Sequence, residues 1–455
     1  MLNKRQISVI GGAGHVGFPL GLIFSSKGFQ VKLIDKNLEN INIINSGKSP
    51  FLEEGSQTLL KKMIKKNKIY ATENLDEIKS SKYIIICIGT PIDNKLNPEI
   101  KNFLNFFKNL NKLISKDQII IIRSSVYPGI CEKVYSIIKN KNKNLSYSPE
   151  RIVQGKSIKE LPNISQLVSG KNHKAIDEAS FLFKKICKKV IKVKIIEAEL
   201  IKLFSNAYRY IHFAISNQFY MICKNQDLDF FKIREIMKDG YKRNAHIPMS
   251  GFTAGPCLLK DTMQLSSFYD RKFSLGHSAM DVNEGMPEFI YRDLCKKVKL
   301  KNKTIGLLGL TFKPDCDDTR DSLAIKLLKF LQKKGIKTLY SDEFFKMKGS
   351  ISSAQLIKKS DIIIISCPHS AYKKIVFPKR HIGTFLYEDL QNDPKNFYRK
   401  LYDFLEIRNF PVQNKVEYSS ISFKGFYENK QNYFSFYRIK NKKLFSKMRV
   451  MFDKI

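Results

Sequence analysis

No stretch of this 455-residue chain is apolar for long enough to cross a bilayer. The first apolar run, Ile7 to Ile10, is far too short for a signal peptide, so the sequence reads as a soluble protein. Paired cysteines are missing too. The eight that are present are scattered, with no CxxC and no metal-ligand spacing, which argues against a disulfide framework or a zinc site and suits a reducing cytoplasm. Acid is scarce: 42 Asp and Glu stand against 80 Lys and Arg, a formal charge of +38. Such an excess would suit a nucleic-acid binder. Here the lysines are spread along the whole chain, and no basic cluster is interleaved with the aromatics and glycines of an RNA-binding module. The expectation is no nucleic-acid partner, no metal, and at most a field that draws an anionic substrate.

What is present is globular. Hydrophobic residues make up 43%, and the length calls for two or three domains. Ile7 to Ile10 predicts a strand, Gly12-Ala-Gly14-His15-Val16-Gly17 a glycine turn, and the stretch to Gly28 an amphipathic helix. A second strand, Val31 to Ile34, closes on Asp35, about 20 residues beyond the glycines. Strand, glycine turn, helix and acid together predict a dinucleotide site. The carboxylate would accept from ribose hydroxyls and repel a 2′-phosphate, which favours NAD over NADP.

Strand-to-loop alternation continues. Tyr83 to Ile88 runs into Gly89-Thr90-Pro91, and Gln118 to Ile122 into Arg123-Ser124-Ser125. Loops beyond the carboxyl ends of parallel strands bind ligands, so Thr90 and Ser125 are candidate cofactor contacts; helix capping is the plain alternative. Ser148-Pro149-Glu150-Arg151-Ile152 forms a third such loop. Glu197 to Asn225 predicts one long helix, with Leu200, Leu203, Phe204, Ala207, Ile211, Ala214 and Ile215 at helical spacing. Lys202, Asn206 and Arg209 stand apart from that stripe on a common face, where an ammonium, an amide and a guanidinium would converge on an oxygen-rich ligand or simply face solvent. The apolar stripe would be hard to cover within one chain and predicts a homodimer.

Gly251 to Asp261 sets Cys257 among small residues and ends in Lys260 and Asp261. A thiol attacks carbonyls as thiolate, which a nearby ammonium such as Lys260 would favour, and Asp261 would position or deprotonate a water. The alternative is a small hydrophobe in a Gly/Pro loop. At Thr304 the alternation restarts: a strand to Leu310, the loop Thr311 to Arg320, a helix to Gly335, and strands Lys337 to Ser341 and Asp361 to Ser366. This second α/β segment lacks GxGxxG and earns no second NAD. The predicted fold is α/β: two Rossmann-like doubly wound domains, 1–195 and 301–392, joined by a central helical domain, 196–300, with a basic aromatic tail, 393–455, whose role does not follow from its residues.

Taken together, GGAGHVG at 11–17, GTP at 89–91, SSVYPG at 124–129, SPERI at 148–152, the Lys202/Asn206 helix, GPCLLKD at 255–261 and FKPDCDDTRDS at 312–322 resemble the nucleotide-sugar 6-dehydrogenases. The cysteine loop is most similar to the UDP-N-acetylmannosamine branch. The resemblance covers residues 1 to about 390. It implies two NAD-linked oxidations of a sugar C6 alcohol to a carboxylate, serving surface polysaccharide synthesis. Cys257 would form a thiohemiacetal and then a thioester, Lys202 and Asn206 would stabilise oxyanions, and Glu150 and Asp261 would handle the water. It implies cofactor contacts at Gly12, Gly14, His15, Val16, Gly17, Asp35, Thr90, Ser125 and Arg320. Substrate contacts would be Arg151, Ile152, Lys202, Asn206, Arg209, Phe312, Lys313 and Arg243, the last reaching across subunits. The chain departs from the pattern at Gln154, where many members carry a second glutamate near the water; an amide takes no proton. A two-electron β-hydroxyacid dehydrogenase and a non-catalytic scaffold are the competing readings. The first has no use for the cysteine loop, and the second has no reason to keep Cys257, Lys202, Asn206 and Asp261.

Overall fold

The computed structural model describes residues 3–93, 96–252, 255–375 and 384–385, all within one compact unit that ends at Tyr387. The tail predicted from residue 393 lies outside the described residues.

Eight strands build the first sheet: β1 Asn3–Ile10, β2 Gln30–Ile34, β3 Ile69–Thr72, β4 Ser81–Ile86, β5 Ile119–Ile122, β6 Leu145–Tyr147, β7 Gln166–Gly170 and β8 Val190–Lys192. Their order is β3-β2-β1-β4-β5-β6-β7-β8, parallel throughout except for the antiparallel pair β6–β7. Isoleucine dominates because both faces are covered. Ile85, Ile119 and Ile121 enter one core while Ile84, Ile86, Ile120 and Ile122 enter the other. Each such side chain contributes about 1.5–3 kcal/mol by leaving water. The helix after β1, Gly17–Ser26, is buried from Gly17 to Ser25 and is not amphipathic as expected. It is packed between β2 and the helices Ser56–Lys65 and Ser157–Glu160, which leaves it no wet face.

The second sheet comprises β9 Thr304–Leu308, β10 Lys337–Ser341, β11 Ile362–Ile365 and β12 Thr384–Phe385, all parallel in the order β10-β9-β11-β12. Strand order therefore reverses between β1 and β4 in one sheet and between β9 and β11 in the other. Crevices at such reversals, beyond the strand carboxyl ends, are where open α/β sheets bind ligands. The glycine turn opens from one of them and the Thr311 loop from the other.

Between the sheets run the long helix Ile195–Asn225 and the helices Phe230–Lys238, Leu258–Phe268 and Ser274–Lys297. The long helix packs on the last two. Its burial divides the predicted apolar stripe. Leu203, Ala207 and Ala214 are covered, whereas Phe204 and Ile215 stay exposed beside Tyr208, Phe219 and Ile222. The face read as polar is the inward one, with Lys202 and Asn206 buried and Arg209 exposed. The fold class expected from the sequence, two Rossmann-like sheets joined by helices, is that of the described residues.

Candidate active site

The glycine turn is shaped by close approach. A Cβ on Gly12 would lie 2.6 Å from the Val9 carbonyl oxygen and 2.7 Å from Leu33 Cα, and one on Gly17 would lie 2.3 Å from the Gly11 oxygen. Gly11, which opens the motif but is not among its expected cofactor contacts, has φ +77°, and a Cβ there would clash with the Cys87 carbonyl at 2.7 Å. At Gly14 a Cβ would meet only the Gly11 oxygen, at 3.4 Å, so the backbone there is open to a ligand. Asp35 closes β2 with both carboxylate oxygens in use. Oδ2 accepts from Ala13 N at 3.0 Å and Oδ1 from Asn37 N at 3.1 Å, and each keeps a lone pair for a ribose hydroxyl. His15 Nδ1 is buried with no partner among the described residues. Burial pushes the imidazole down to about 4, against the pull of the Asp318 carboxylate 3.7 Å away. These residues fit a dinucleotide diphosphate lying at the start of a helix.

Cys257 is exposed and sits at the N-cap of Leu258–Phe268, so the positive end of that helix faces charge developing at its sulfur. One turn on, Asp261 is fully buried. Its Oδ2 accepts from Asn206 Nδ2 at 2.6 Å, and Lys260 Nζ lies 2.7 Å from Oδ1. Lys260 also donates to Thr90 Oγ1 at 3.2 Å, and Gln264 Nε2 to the Thr90 carbonyl at 3.3 Å. Thr90 in turn donates to the Ser125 carbonyl. The ammonium expected to serve the thiol is thus spent on Asp261 and on fastening the cysteine helix to the first sheet. Asn217 anchors the start of the loop, donating to Gly251 O at 3.0 Å and to Asn283 at 2.8 Å.

Glu150 is held by a residue that sequence reasoning missed. Arg123, fully buried, donates to its Oε2 through Nε at 2.8 Å, places Nη2 2.5 Å from the same oxygen, and donates to Ser148 O and Gln166 Oε1 at 3.0 Å. The other carboxylate oxygen accepts from the backbone N–H groups of Arg151 and Ile152, at 2.7 and 3.1 Å. Only the position of Arg123 at the end of an isoleucine strand hinted at this. The side-chain amide of Gln154 donates to Asp318 Oδ2 at 2.9 Å, and its backbone carbonyl accepts from Lys313.

From the second sheet, Phe312 lies against the cysteine loop, since a Cβ on Gly255 would come 2.6 Å from its ring. Arg320 grips Asp318 through Nε and Nη2, at 3.0 and 2.6 Å. Burial raises the Asp318 carboxyl, but the bonds from Arg320 and Gln154 outweigh it and leave it below the ordinary range. Ile152 is half-buried against the first core. Arg151 and Arg209 are exposed, and Arg243 stacks over Tyr241, its guanidinium carbon 5.8 Å from the ring centre. None of these three arginines is brought to Cys257 by a contact within the described residues.

A dinucleotide fold whose joining helices carry an exposed cysteine and a buried carboxylate has the parts that a dehydrogenase needs. Three family models match: the NAD binding domain of the UDP-glucose/GDP-mannose dehydrogenase family at residues 5–187, its central domain at 196–285 and its UDP binding domain at 306–399. The chain belongs to this family and is an NAD-dependent nucleotide-sugar dehydrogenase. A UDP-N-acetyl-D-mannosamine dehydrogenase of Pyrococcus horikoshii is 27% identical over 384 residues, covering 81% of this chain and 91% of the relative. Protein CapL of Staphylococcus aureus is 25% identical over 411 residues, with the same coverages. The solved structure of a UDP-D-ManNAc dehydrogenase from P. horikoshii superposes with a TM-score of 0.74 at 26% identity, over 81% of this chain and 91% of that one.

Proposed function

We propose that the protein oxidises the C6 hydroxymethyl of UDP-N-acetylmannosamine, or a close UDP-linked N-acetylhexosamine, to the carboxylate, with Cys257 as covalent nucleophile. The observation that carries this reading is an exposed thiol at a helix N-terminus, one turn before a buried carboxylate that is held by Asn206. The sugar follows from the names of relatives such as the P. horikoshii enzyme.

NAD, held by the glycine turn with Asp35, Thr90, Ser125 and Arg320, supplies the acceptor for one hydride per molecule, so two are used per sugar. An aldehyde surrenders its hydride only once its carbon is tetrahedral. Cys257 Sγ provides that by adding to the aldehyde as a thiolate, the proton of the exposed thiol having passed to solvent, and the C–S bond forms as the C=O π bond breaks and its oxygen becomes an alkoxide. Lys202 and Asn206 stabilise this oxyanion, each such donor contributing about 3 kcal/mol. Oxidation of the thiohemiacetal leaves a thioester on Sγ. Water adds to it, the C–S bond breaks, and the carboxylate departs as the thiol is restored. Asp261 takes the proton of that water. Glu150 serves better as the carboxylate that fixes the Arg151–Ile152 backbone than as a free base, because a base role would break its pair with Arg123. Arg151, Ile152, Phe312 and Lys313 surround the sugar and diphosphate in this reading, with Arg209 and a partner subunit's Arg243 closing the site.

The exposed line Phe204, Tyr208, Ile215, Phe219 and Ile222 on the long helix supports a homodimer built on that helix. Free cysteines throughout and the lack of any membrane-crossing helix among the described residues suit a cytoplasmic enzyme. Its product keeps an activated anomeric carbon and suits transfer into a surface polysaccharide. The test is turnover of a panel of UDP- and GDP-linked hexoses with NAD, with the product identified by mass. A UDP-linked N-acetylhexosamine should be oxidised fastest, and no turnover of any nucleotide sugar would overturn the reading.

A further inference from the structure

We infer that His369 is a positioning residue for the turn that carries Phe312 and Lys313, and that it acts through Nδ1, which holds the backbone N–H of Asp315. The inference rests on the reading of that turn as a nucleotide-sugar contact and goes beyond it.

His369 follows β11, and its side chain is fully buried. Asp315 N donates to Nδ1 at 2.9 Å, so that nitrogen presents a lone pair and the ring proton sits on Nε2. Nε2 lies 3.0 Å from Asp342 Oδ2 and 3.3 Å from Thr311 Oγ1. One imidazole thereby joins the loops that leave β9, β10 and β11. Its two nitrogens serve different partners. Asp342 stays held without the imidazole, because its carboxylate also accepts from the backbone N–H groups of Leu310, Thr311, Phe344 and Phe345. Asp315 N is bonded to Nδ1 alone among the described residues.

The turn needs that bond. Asp315 has φ +52°, a left-handed conformation in which the Cβ of an L-residue crowds the following carbonyl oxygen. Ser370 holds the Asp315 carboxylate from the other side, donating to Oδ1 through N at 2.8 Å and Oγ at 3.0 Å. At the near end of the turn, Thr311 Oγ1 donates to the Lys313 carbonyl at 3.0 Å, and Cys316 Sγ donates to the same oxygen at 3.2 Å. With both ends fixed, Phe312 lies against the cysteine loop at Gly255 and Lys313 reaches the Gln154 carbonyl. Loss of the Nδ1 bond frees the turn at Asp315, and those two side chains lose their common orientation.

Calorimetric titration of the full-length protein with UDP alone and with NAD alone, beside thermal melting, tests this with three variants. Asparagine places an amide oxygen where Nδ1 stands, and glutamine places an amide nitrogen where Nε2 stands. His369→Asn keeps an acceptor for Asp315 N and should hold UDP affinity within about threefold of the parent. His369→Gln keeps a donor for Asp342 but leaves Asp315 N unpaired, and should weaken UDP binding about tenfold while NAD binding changes less than about twofold. A merely structural imidazole would lower the melting temperature in both variants and leave the UDP affinity of the folded protein unchanged; equal weakening in both would also overturn the inference. A nitrogen-15 spectrum of histidine-labelled parent protein, with the His369 signals assigned by their loss in either variant, should show Nε2 protonated and Nδ1 bare, and the opposite tautomer would overturn it too. Lys313→Ala separates the two layers. If it weakens UDP binding while His369→Gln does not, the inference fails alone; if it leaves UDP binding unchanged, the reading of the turn fails and the inference with it.

Discussion

The Asn206 amide donates to the Asp261 carboxylate across 2.6 Å, joining the long helix to the cysteine helix at a point fully closed to solvent. Its other carboxylate oxygen lies 2.7 Å from Lys260 Nζ without hydrogen-bond geometry. That leaves Asp261 anchored on one side and able to accept on the other.

Asp261→Asn should therefore fold normally yet lose acid release. The amide is isosteric but takes no proton, so kcat should fall about 10²–10⁴-fold. Rapid quench after mixing with NAD and nucleotide sugar should find the sugar bound covalently to protein. Parental kcat in this variant would remove Asp261 from the proton path.

Arg123 and Glu150 form a buried ion pair whose further partners, the Ser148 carbonyl and Gln166 for the one and two backbone N–H groups for the other, are all neutral. Arg123→Met strands the carboxylate and should cost about 3–5 kcal/mol, read from denaturant midpoints. Glu150→Gln keeps acceptor and shape for the amides of Arg151 and Ile152, so it should cost less and retain measurable turnover. Complete loss of turnover in a stable Glu150→Gln protein would return Glu150 to the role of base.

His15 gives folding a pH dependence of known sign. Its imidazole titrates near 4 when folded and near 6.5 in model compounds, so between those values the unfolded chain binds the extra proton. Stability is full above pH 6.5 and falls as pH drops toward 4, by roughly 3 kcal/mol at most. The difference between the parent and His15→Asn in urea, measured from pH 4 to 7, should show this slope. Parallel curves would mean that His15 is solvated.

Phe204→Glu with Ile215→Glu should produce a monomer in multi-angle light scattering, since both side chains lie on the exposed face of the long helix. A parent protein that is already monomeric at working concentration would refute the dimer.

Much of the scaffold was legible because isoleucine runs such as Ile119–Ile122 mark doubly covered strands, and because glycines at positions 12 and 17 answer to clashes that any side chain would make. The three-residue strand Leu145–Tyr147 and its antiparallel partner carry no such run, and their pairing is set by tertiary packing. On the long helix, amphipathic logic left Lys202, Asn206 and Arg209 facing either a ligand or solvent. Lys202 and Asn206 are buried while Arg209 is exposed, because the other helices of the central segment cover the first two, which periodicity within one helix does not encode. Arg123–Glu150 and Gln154–Asp318 join residues 27 and 164 positions apart, and no local pattern encodes such pairs.

The central claim, oxidation of an alcohol through a cysteine-bound aldehyde to an acid, is tested most directly by stoichiometry. With limiting UDP-N-acetylmannosamine and excess NAD, NADH should form in a ratio of two to each sugar consumed, with one uronic acid released. Cys257→Ala under the same conditions should release no acid. One NADH per sugar from the parent protein, or uronic acid from Cys257→Ala at the parental rate, would contradict the account.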